Sequence, residues 1–183
     1  MTIEGATAVR VFAGLRVLLR RASLAEILML RHAELRPGLP RASAEFAADA
    51  ESATRHFGAF VTASSARATS AVGEAVACAS FMAEPHAGEA AYQLRGMATR
   101  ADVARRGIGG ALLRLALREV AMHDHARLFW CNARLAAVPF YRQMGWRITS
   151  EVFDVPSVGP HRVMTFRVSS AAELRLERDD TLA

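Results

Sequence analysis

The sequence contains no lysine, so all 23 of its basic residues are arginines. A Walker-type phosphate loop requires a Gly-Lys-Ser/Thr segment, and a Schiff-base enzyme requires a lysine amine. The absence of lysine therefore excludes both classes. The arginines leave a formal net charge of +5 at neutral pH, which favours an anionic partner such as a nucleic acid, a membrane surface or a phosphorylated cofactor.

Cysteine is also scarce, with only Cys78 and Cys131, both in apolar segments. Two cysteines do not support a disulfide framework, and they predict buried thiols in a cytoplasmic protein. Long apolar runs are missing as well, because four charged residues interrupt the stretch from Leu15 to Leu30. The sequence therefore predicts no membrane span, and its first residues lack the pattern of a signal peptide.

Basic runs interleaved with aromatic residues are absent, because the arginines are spread along the chain apart from the pairs 20–21 and 105–106. Nucleic acid is therefore not a predicted partner, although the net charge keeps a nucleic-acid-binding protein as a minor alternative. His123 and His125 stand two residues apart at a helix end, which does not make a zinc ligand set. No metal is predicted.

The pattern of apolar residues predicts one mixed α/β domain over residues 14–168, with 1–13 as an N-terminal extension and 169–183 as a polar tail. Seven segments are predicted as strands: 15–20, 56–61, 71–82, 91–99, 127–133, 148–155 and 162–168. The small and polar segment 64–69, between the second and third of them, is predicted as a turn. Helices are predicted after Ser23, whose partner in a capping box is Glu26, and over 42–50, 108–122 and 136–144. In the last of these, Pro139 is expected in the first turn and Gly145 just past the end. The order predicts a mostly antiparallel twisted sheet of six or seven strands, with flanking helices and a parallel crossover between the fourth and fifth strands.

One short segment, Arg105-Arg106-Gly107-Ile108-Gly109-Gly110-Ala111, lies between the fourth predicted strand and the start of a helix. Glycines let the backbone approach a ligand closely, and a helix start offers unpaired N–H groups and the positive end of a dipole. The segment therefore predicts an anion-binding cradle. It lacks the third glycine of the dinucleotide pattern, because Leu112 stands there.

The cradle, together with Ala137-Val138-Pro139-Phe140-Tyr141 and Gly145-Trp146 about thirty residues later, resembles the GNAT superfamily of acyl-CoA-dependent N-acyltransferases. The family pattern is Gln/Arg-x-x-Gly-x-Gly/Ala followed by Ala-x-x-Phe-Tyr-x-x-x-Gly-Phe, and the resemblance covers roughly residues 14–168. The segment from Glu151 to Met164 also resembles one bacterial branch of small GNATs. Two positions depart from the pattern: Ala104 replaces the Gln/Arg, and Arg134 stands where many members have Asn.

The resemblance implies acetyl-CoA as the acyl donor, with its pyrophosphate on the N–H groups from Arg106 to Gly110. It also implies that the fourth and fifth predicted strands splay apart to admit the pantetheine arm, and Gly96 would ease that distortion. Asn132 is the nearby residue that could substitute at the Arg134 departure. The expected cofactor-binding residues are Met97, Ala98, Thr99, Arg105, Arg106, Gly107, Ile108, Gly109, Gly110, Ala111, Asn132, Arg134 and Ala137.

Tyr141 is the catalytic residue that the resemblance implies, as the proton donor to the leaving CoA thiolate. A phenol with a pKa near 10 suits that task. A general base is not evident, since the fourth predicted strand has no carboxylate between Tyr92 and Thr99. A chain of water molecules is one alternative, and the side chains left open are His161, Asp154, Glu151 and His56.

The expected function is direct transfer of an acetyl group to a small-molecule or peptide amine in a ternary complex. The missing carboxylate leaves a non-catalytic acyl-CoA-binding or sensing module as the alternative.

Arg95, in the middle of an apolar strand, either points outward, pairs with an acid or binds a substrate. Cys131 is expected to be inert packing. The acceptor is left open, as is whether the chain forms a homodimer.

Overall fold

The computed structural model describes residues 7–63, 71–156 and 158–168. The predicted C-terminal tail and the predicted turn at 64–69 lie outside these residues. The described part forms nine strands and three α-helices: β1 Ala8–Phe12, β2 Leu15–Ala22, α1 Leu24–Leu35, β3 Arg55–Ala63, β4 Ala75–Ala83, β5 Tyr92–Thr99, α2 Ile108–His123, β6 Leu128–Arg134, α3 Val138–Gln143, β7 Arg147–Ile148, β8 Phe153–Val155 and β9 Gly159–Arg167. Short 3-10 helices cover Arg41–Ala44, Ala47–Ala50, Ala101–Val103 and Leu135–Ala137.

The chain divides into two compact units, and β5 and α2 each contribute to both. The described residues up to Met82 form the first unit together with Gly96–Glu119. The second unit contains Ala83–Arg95 and the described residues from Val120 onward.

The first unit is a sheet in the order β1-β2-β3-β4-β5 with a helix on each face. Strands β1 to β4 pair antiparallel with their neighbours in sequence. On one face, Ile27 and Leu30 of α1 pack in a cluster with Phe60, Cys78 and Ala98. Met97 and Thr99 approach the start of α2, as expected for residues that alternate with Ala98 along a strand. The cofactor residues predicted on β5 therefore lie between two helices.

The second unit is a sheet in the order β5-β6-β9-β7, with β8 paired to β9. β5 and β6 run parallel, with the register Tyr92↔Phe129 and Gln93↔Trp130. β6 and β9 pair antiparallel over the whole of β6, from Leu128↔Arg167 to Arg134↔His161. A series of neighbouring aromatic rings links this sheet to α3, and it consists of Tyr92, Phe129, Phe166, Trp146 and Tyr141.

The mixed α/β class, the mostly antiparallel sheet and the parallel pair are as predicted, and the structure has two more strands than the sequence indicated. β1 is one of them, within the segment 1–13 that was predicted as an extension. A two-residue turn with positive φ at Ala13 and Gly14, 46° and 81°, pairs it with β2. Such a turn suits a tight hairpin. The domain boundary at residue 14 stays a prediction.

The other additional strand arises because the segment predicted as one strand at 148–155 forms β7 and β8. Between them, the Ser150 hydroxyl accepts the N–H of Val163 at 2.8 Å, and the Ser150 carbonyl accepts a hydrogen bond from Arg162 at 2.9 Å. These contacts satisfy backbone groups of the interrupted strand and its partner.

The helix predicted at 42–50 is wrong, since two 3-10 turns separated by an extended segment occupy it. The break follows from a tertiary contact. Asp49 is turned toward the buried Arg31 at 2.8 Å, and its carboxylate also accepts the N–H of Phe46 at 2.7 Å. That hydrogen bond caps the start of the second 3-10 helix, Ala47–Ala50.

Candidate active site

The predicted anion cradle is a loop with two left-handed residues that leads into α2. Arg105 has φ 61° and Gly107 has φ 89°. The N–H of Ala111 bonds the carbonyl of Gly107 at 3.0 Å, and this closes the first turn of the helix. By helix geometry the N–H groups of Ile108, Gly109 and Gly110 have no partner within the helix. They are available to an anion, at the positive end of the helix dipole.

Gly109 allows this helix start to press against the end of β5. A Cβ at Gly109 would lie 2.7 Å from the Thr99 hydroxyl oxygen and 3.7 Å from Cε of Met97. Real Cβ atoms essentially never approach another atom as closely as 2.7 Å. The glycine is therefore needed for close packing between the cradle and the strand that precedes it.

The loop before the cradle is fixed by ion pairs that the sequence analysis did not identify. Arg100 contacts Asp102 at 2.7 Å and Glu74 at 2.7 Å, and its backbone N–H bonds the carbonyl of Val76 at 2.9 Å. These hydrogen bonds, chiefly that with Asp102, raise the pKa of Arg100 above its usual range. The positive charge of Arg100 thus compensates the negative charge of Asp102. Arg105 and Arg106, which follow in the same loop, are both exposed. The Arg-x-Asp spacing was the signal available in the sequence.

β5 changes direction at Gly96, directly before the predicted cofactor residues 97–99. Gly96 has φ 59°, and a Cβ there would lie 2.7 Å from Nε of Arg31 and 3.0 Å from Cε2 of Phe46. The Cys78 thiol donates a hydrogen bond to the Gly96 carbonyl at 3.3 Å. Backbone conformation and space both require glycine at this position.

In the second unit, Tyr141 is a buried side chain on the short helix α3, with 8% of its surface exposed. Its ring lies 5.2 Å from that of Phe140 and 5.4 Å from that of Trp146. Burial, with a smaller effect of the neighbouring Cys131, raises the pKa of Tyr141 well above its usual value. The phenol therefore stays protonated at neutral pH and can serve as a proton donor. Pro139 lies in the first turn of α3 and Gly145 follows it with φ 82°, as predicted.

The structure places the other predicted residues of this unit on and after β6. Asn132 is exposed and Arg134 is half-buried, and both alternate with the buried Cys131 along the strand. Their side chains therefore lie on the face of the sheet opposite to Cys131, whose thiol is close enough to Tyr141 to affect the pKa of its phenol. Ala137 is half-buried in the 3-10 helix that connects β6 to α3.

Among the side chains left open as a base, His56 is fully used within a buried network. Arg31 donates to the Ser80 hydroxyl at 2.6 Å, and the hydroxyl lies 2.7 Å from Nδ1 of His56. The other ring nitrogen, Nε2, donates to the carbonyl of Asp49 at 3.1 Å. Burial lowers the pKa of His56. A neutral imidazole with both nitrogens engaged stabilises the fold and is not poised to take a proton.

His161 differs from His56 in its hydrogen bonds within the described part of the chain, where its Nδ1 alone is engaged. The ring is 5% exposed, and Nδ1 lies 2.7 Å from the carbonyl oxygen of Gly159. Glu151 and Asp154, the remaining two candidates, are exposed on the segment between β7 and the end of β8.

The remaining predictions concern isolated residues. Arg95 is exposed, which favours the outward-pointing interpretation over a buried charge. Burial raises the pKa of the Cys131 thiol, and that of Cys78 to about 12, so both thiols are poor nucleophiles. Within residues 7–63, 71–156 and 158–168, there is no group of three or more His, Cys, Asp or Glu side chains placed so that they could bind a metal ion. No helix in these ranges is long and apolar enough to cross a membrane.

Comparison with solved structures identifies the same fold in proteins of low sequence identity. Escherichia coli ElaA superposes with a TM-score of 0.64 at 17% identity, covering 81% of this chain and 98% of that protein. An aminoglycoside 6'-N-acetyltransferase complexed with coenzyme A superposes with a TM-score of 0.60 at 12% identity, covering 81% and 96%.

Sequence comparison identifies the family. The uncharacterized N-acetyltransferase YitI of Bacillus subtilis is 32% identical over 145 residues, which cover 76% of this chain and 90% of YitI. Residues 23–146 match the acetyltransferase (GNAT) family. This segment includes β5, the cradle and α3. The chain therefore belongs to the acetyltransferase (GNAT) family.

Proposed function

We propose that this protein transfers an acetyl group from acetyl-CoA to an amine by direct attack in a ternary complex. The observation that carries the proposal is the start of α2, where three consecutive N–H groups lack helical partners and Gly109 packs against Thr99. This cradle suits a pyrophosphate. Family membership supports coenzyme A as the molecule that carries it.

The residues of the first unit fit the donor. The N–H groups at 108–110 would hold the pyrophosphate, and Arg105 and Arg106 would add positive charge beside them. Backbone groups of Met97, Ala98 and Thr99 would pair with the pantetheine arm as an added strand does. When bound, the donor supplies an activated thioester; the residues of the chain bind it, orient it and move protons.

Tyr141 would protonate the departing thiolate. Its phenol is neutral at physiological pH, as an ordinary phenol is, and burial raises its pKa further. It therefore holds the proton that the sulfur requires when the carbon–sulfur bond breaks. Asn132, Arg134 and Ala137 are proposed as further contacts to the donor on the family pattern.

The direct test is release of thiol from acetyl-CoA in the presence of a panel of small amines and peptide N-termini, with CoA binding measured by calorimetry. Amine-dependent thiol release together with CoA binding is the expected result. CoA binding without turnover on any amine would favour the alternative, a non-catalytic acyl-CoA sensor, which the absence of an acid between Tyr92 and Thr99 supports. No binding of CoA would exclude both.

Gly109→Ala is expected to weaken CoA binding roughly tenfold to one hundredfold, since relieving an overpacked contact costs about 1–3 kcal/mol. The new Cβ would meet the Thr99 hydroxyl at 2.7 Å and push the start of α2 away from β5. Titration calorimetry with CoA measures the effect.

The double variant Gly109→Ala with Thr99→Ala removes the oxygen that the new methyl group meets. Its affinity should return most of the way to that of Thr99→Ala alone, because the next neighbours lie at ordinary contact distance, 3.7 Å and 3.9 Å. Equal CoA affinity for Gly109→Ala and the wild type would refute the proposed cradle.

A further inference from the structure

His161 lies at the end of β9 that pairs with the last residue of β6. Its register partners are Arg134 on β6 and Phe153 on β8, and its ring lies 6.1 Å from that of Phe153. The 3-10 helix Leu135–Ala137 and then α3 follow directly after Arg134. His161 thus stands at the strand end from which the Tyr141 helix departs.

The pairing of β6 with β9 has no bulge, so side chains alternate strictly between the two faces of the sheet. Phe166 packs toward α3, with its ring 5.9 Å from that of Trp146, which in turn contacts Tyr141. Met164 and Arg162 share that face by alternation. His161 therefore projects from the opposite face, together with Arg134 of the neighbouring strand.

The hydrogen bond to Gly159 determines which nitrogen of His161 carries the proton. A carbonyl oxygen can only accept, so Nδ1 donates at 2.7 Å and carries hydrogen. In the neutral ring Nε2 then has the lone pair of a base.

We propose that His161 is the general base of the acetyl transfer, accepting the proton of the acceptor amine at Nε2. The assignment rests on the proposed acetyltransferase activity. As the new carbon–nitrogen bond forms, His161 takes the proton of the amine; as the carbon–sulfur bond breaks, Tyr141 gives its proton to the sulfur. Water then returns the proton from the imidazolium to the tyrosinate, and the balance is one amide and one CoA thiol.

The two groups serve different atoms, and their positions on opposite faces of one sheet keep them from bonding to each other. The Gly159 hydrogen bond fixes the imidazole in its base tautomer, as a positioned base requires. The charged or titratable groups on the elements packed against His161 are Cys131 and Arg134 on β6, Asp154 on β8, Arg147 on β7, and Arg162 and Arg167 on its own strand. The 3-10 helix Leu135–Ala137 has none.

The test compares His161→Asn with the wild type. The asparagine amide can still donate to the Gly159 carbonyl, as Nδ1 does, but it cannot take a proton. We expect kcat/KM for amine acetylation to fall about 10²- to 10⁴-fold, with the CoA affinity and the melting temperature retained. The decline of kcat/KM toward acidic pH should disappear, and added imidazole should restore part of the rate. His123→Asn, at the exposed end of α2, is the matched control.

The outcomes separate the two proposals. A wild-type protein that binds CoA but acetylates no amine would overturn the proposed function itself. An active wild type with an equally active His161→Asn variant and an unchanged pH profile would overturn the assignment of the base. Parallel loss of CoA binding and activity in both His161→Asn and His161→Gln, without rescue by imidazole, would assign His161 a structural role and likewise overturn it.

Discussion

Tyr141→Phe is expected to lower kcat for amine acetylation by about two to four orders of magnitude, the range that a positioned proton donor contributes. The phenol is buried among Phe140 and Trp146, and burial holds its pKa well above the usual value. It is therefore neutral throughout the physiological range and can supply a proton at any pH in that range. Phenylalanine fills the same space without that proton. Steady-state thiol release from acetyl-CoA measures the change.

The sequence offers one matched control, because its only other tyrosine is Tyr92, a half-buried residue on β5. Tyr92→Phe should leave kcat within about threefold of the wild type. CoA affinity and thermal stability should change little in either variant, because the ring and its packing are preserved. Full activity of Tyr141→Phe would exclude the phenol as the acid. A loss confined to CoA affinity would instead make Tyr141 a binding residue.

Gly96→Ala is expected to cause the largest loss of stability, about 2–5 kcal/mol in the free energy of unfolding. A side chain at φ 59° costs about 1–3 kcal/mol, and overpacking a filled site costs a similar amount. The new Cβ would lie 2.7 Å from Nε and 3.1 Å from Cδ of Arg31, which is wholly buried, so Arg31 has little freedom to move away. Urea unfolding measures the change.

Gly88→Ala separates the two components of that cost. Gly88 also has a positive φ, 81°, but a Cβ there would meet nothing within 4 Å. It should therefore lose only the conformational part, about 1–2 kcal/mol. If Gly96→Ala cost no more than Gly88→Ala, the buried Arg31 would not constrain β5.

The packing of Arg31 and Phe46 around Gly96 affects the proposed cofactor site as well as the stability of the fold. Arg31 is held by Asp49, Ser80 and the carbonyl of Ala44, with its guanidinium carbon 4.6 Å from the centre of the Phe46 ring. The two terminal nitrogens of Arg31 and the carboxylate of Asp49 are all hydrogen-bonded, which helps to offset the cost of burying the two charges. It fixes the kink of β5 immediately before Met97, Ala98 and Thr99. The strand edge proposed to pair with pantetheine is thus set by a helix and a loop that precede it in the chain.

Features that depend on residues a few positions apart were predicted correctly from the sequence. Ser23 donates its N–H to the carboxylate of Glu26 at 2.7 Å at the start of α1. Pro139 and Gly145 mark the beginning and the end of α3. The glycine-containing loop that leads into α2 belongs to the same group, because glycine spacing and a helix start are local properties. In each case the interacting groups are neighbours in the chain, so the sequence contains the whole interaction.

Features that depend on distant residues could not be predicted in this way. In the sequence Arg31 is one charged residue within a helix, and its burial depends on Asp49, 18 residues later, and Ser80, 49 residues later. The same contact breaks the helix that local propensity predicts at 42–50. β1 was missed because it pairs with β2 through an Ala-Gly turn, which is a weak signal in the sequence.

The composition and local patterns by themselves determined that the chain uses arginine rather than lysine, that a glycine-containing loop leads into a helix start, and that Tyr141 follows on a short capped helix. Only the tertiary structure distinguished the histidines. His56 and His161 both lie in strands, but partners from two other segments engage both nitrogens of His56, whereas a single carbonyl two residues away orients His161. Protonation and accessibility depend on the groups that surround a side chain in space, and those groups come from segments far apart in the sequence.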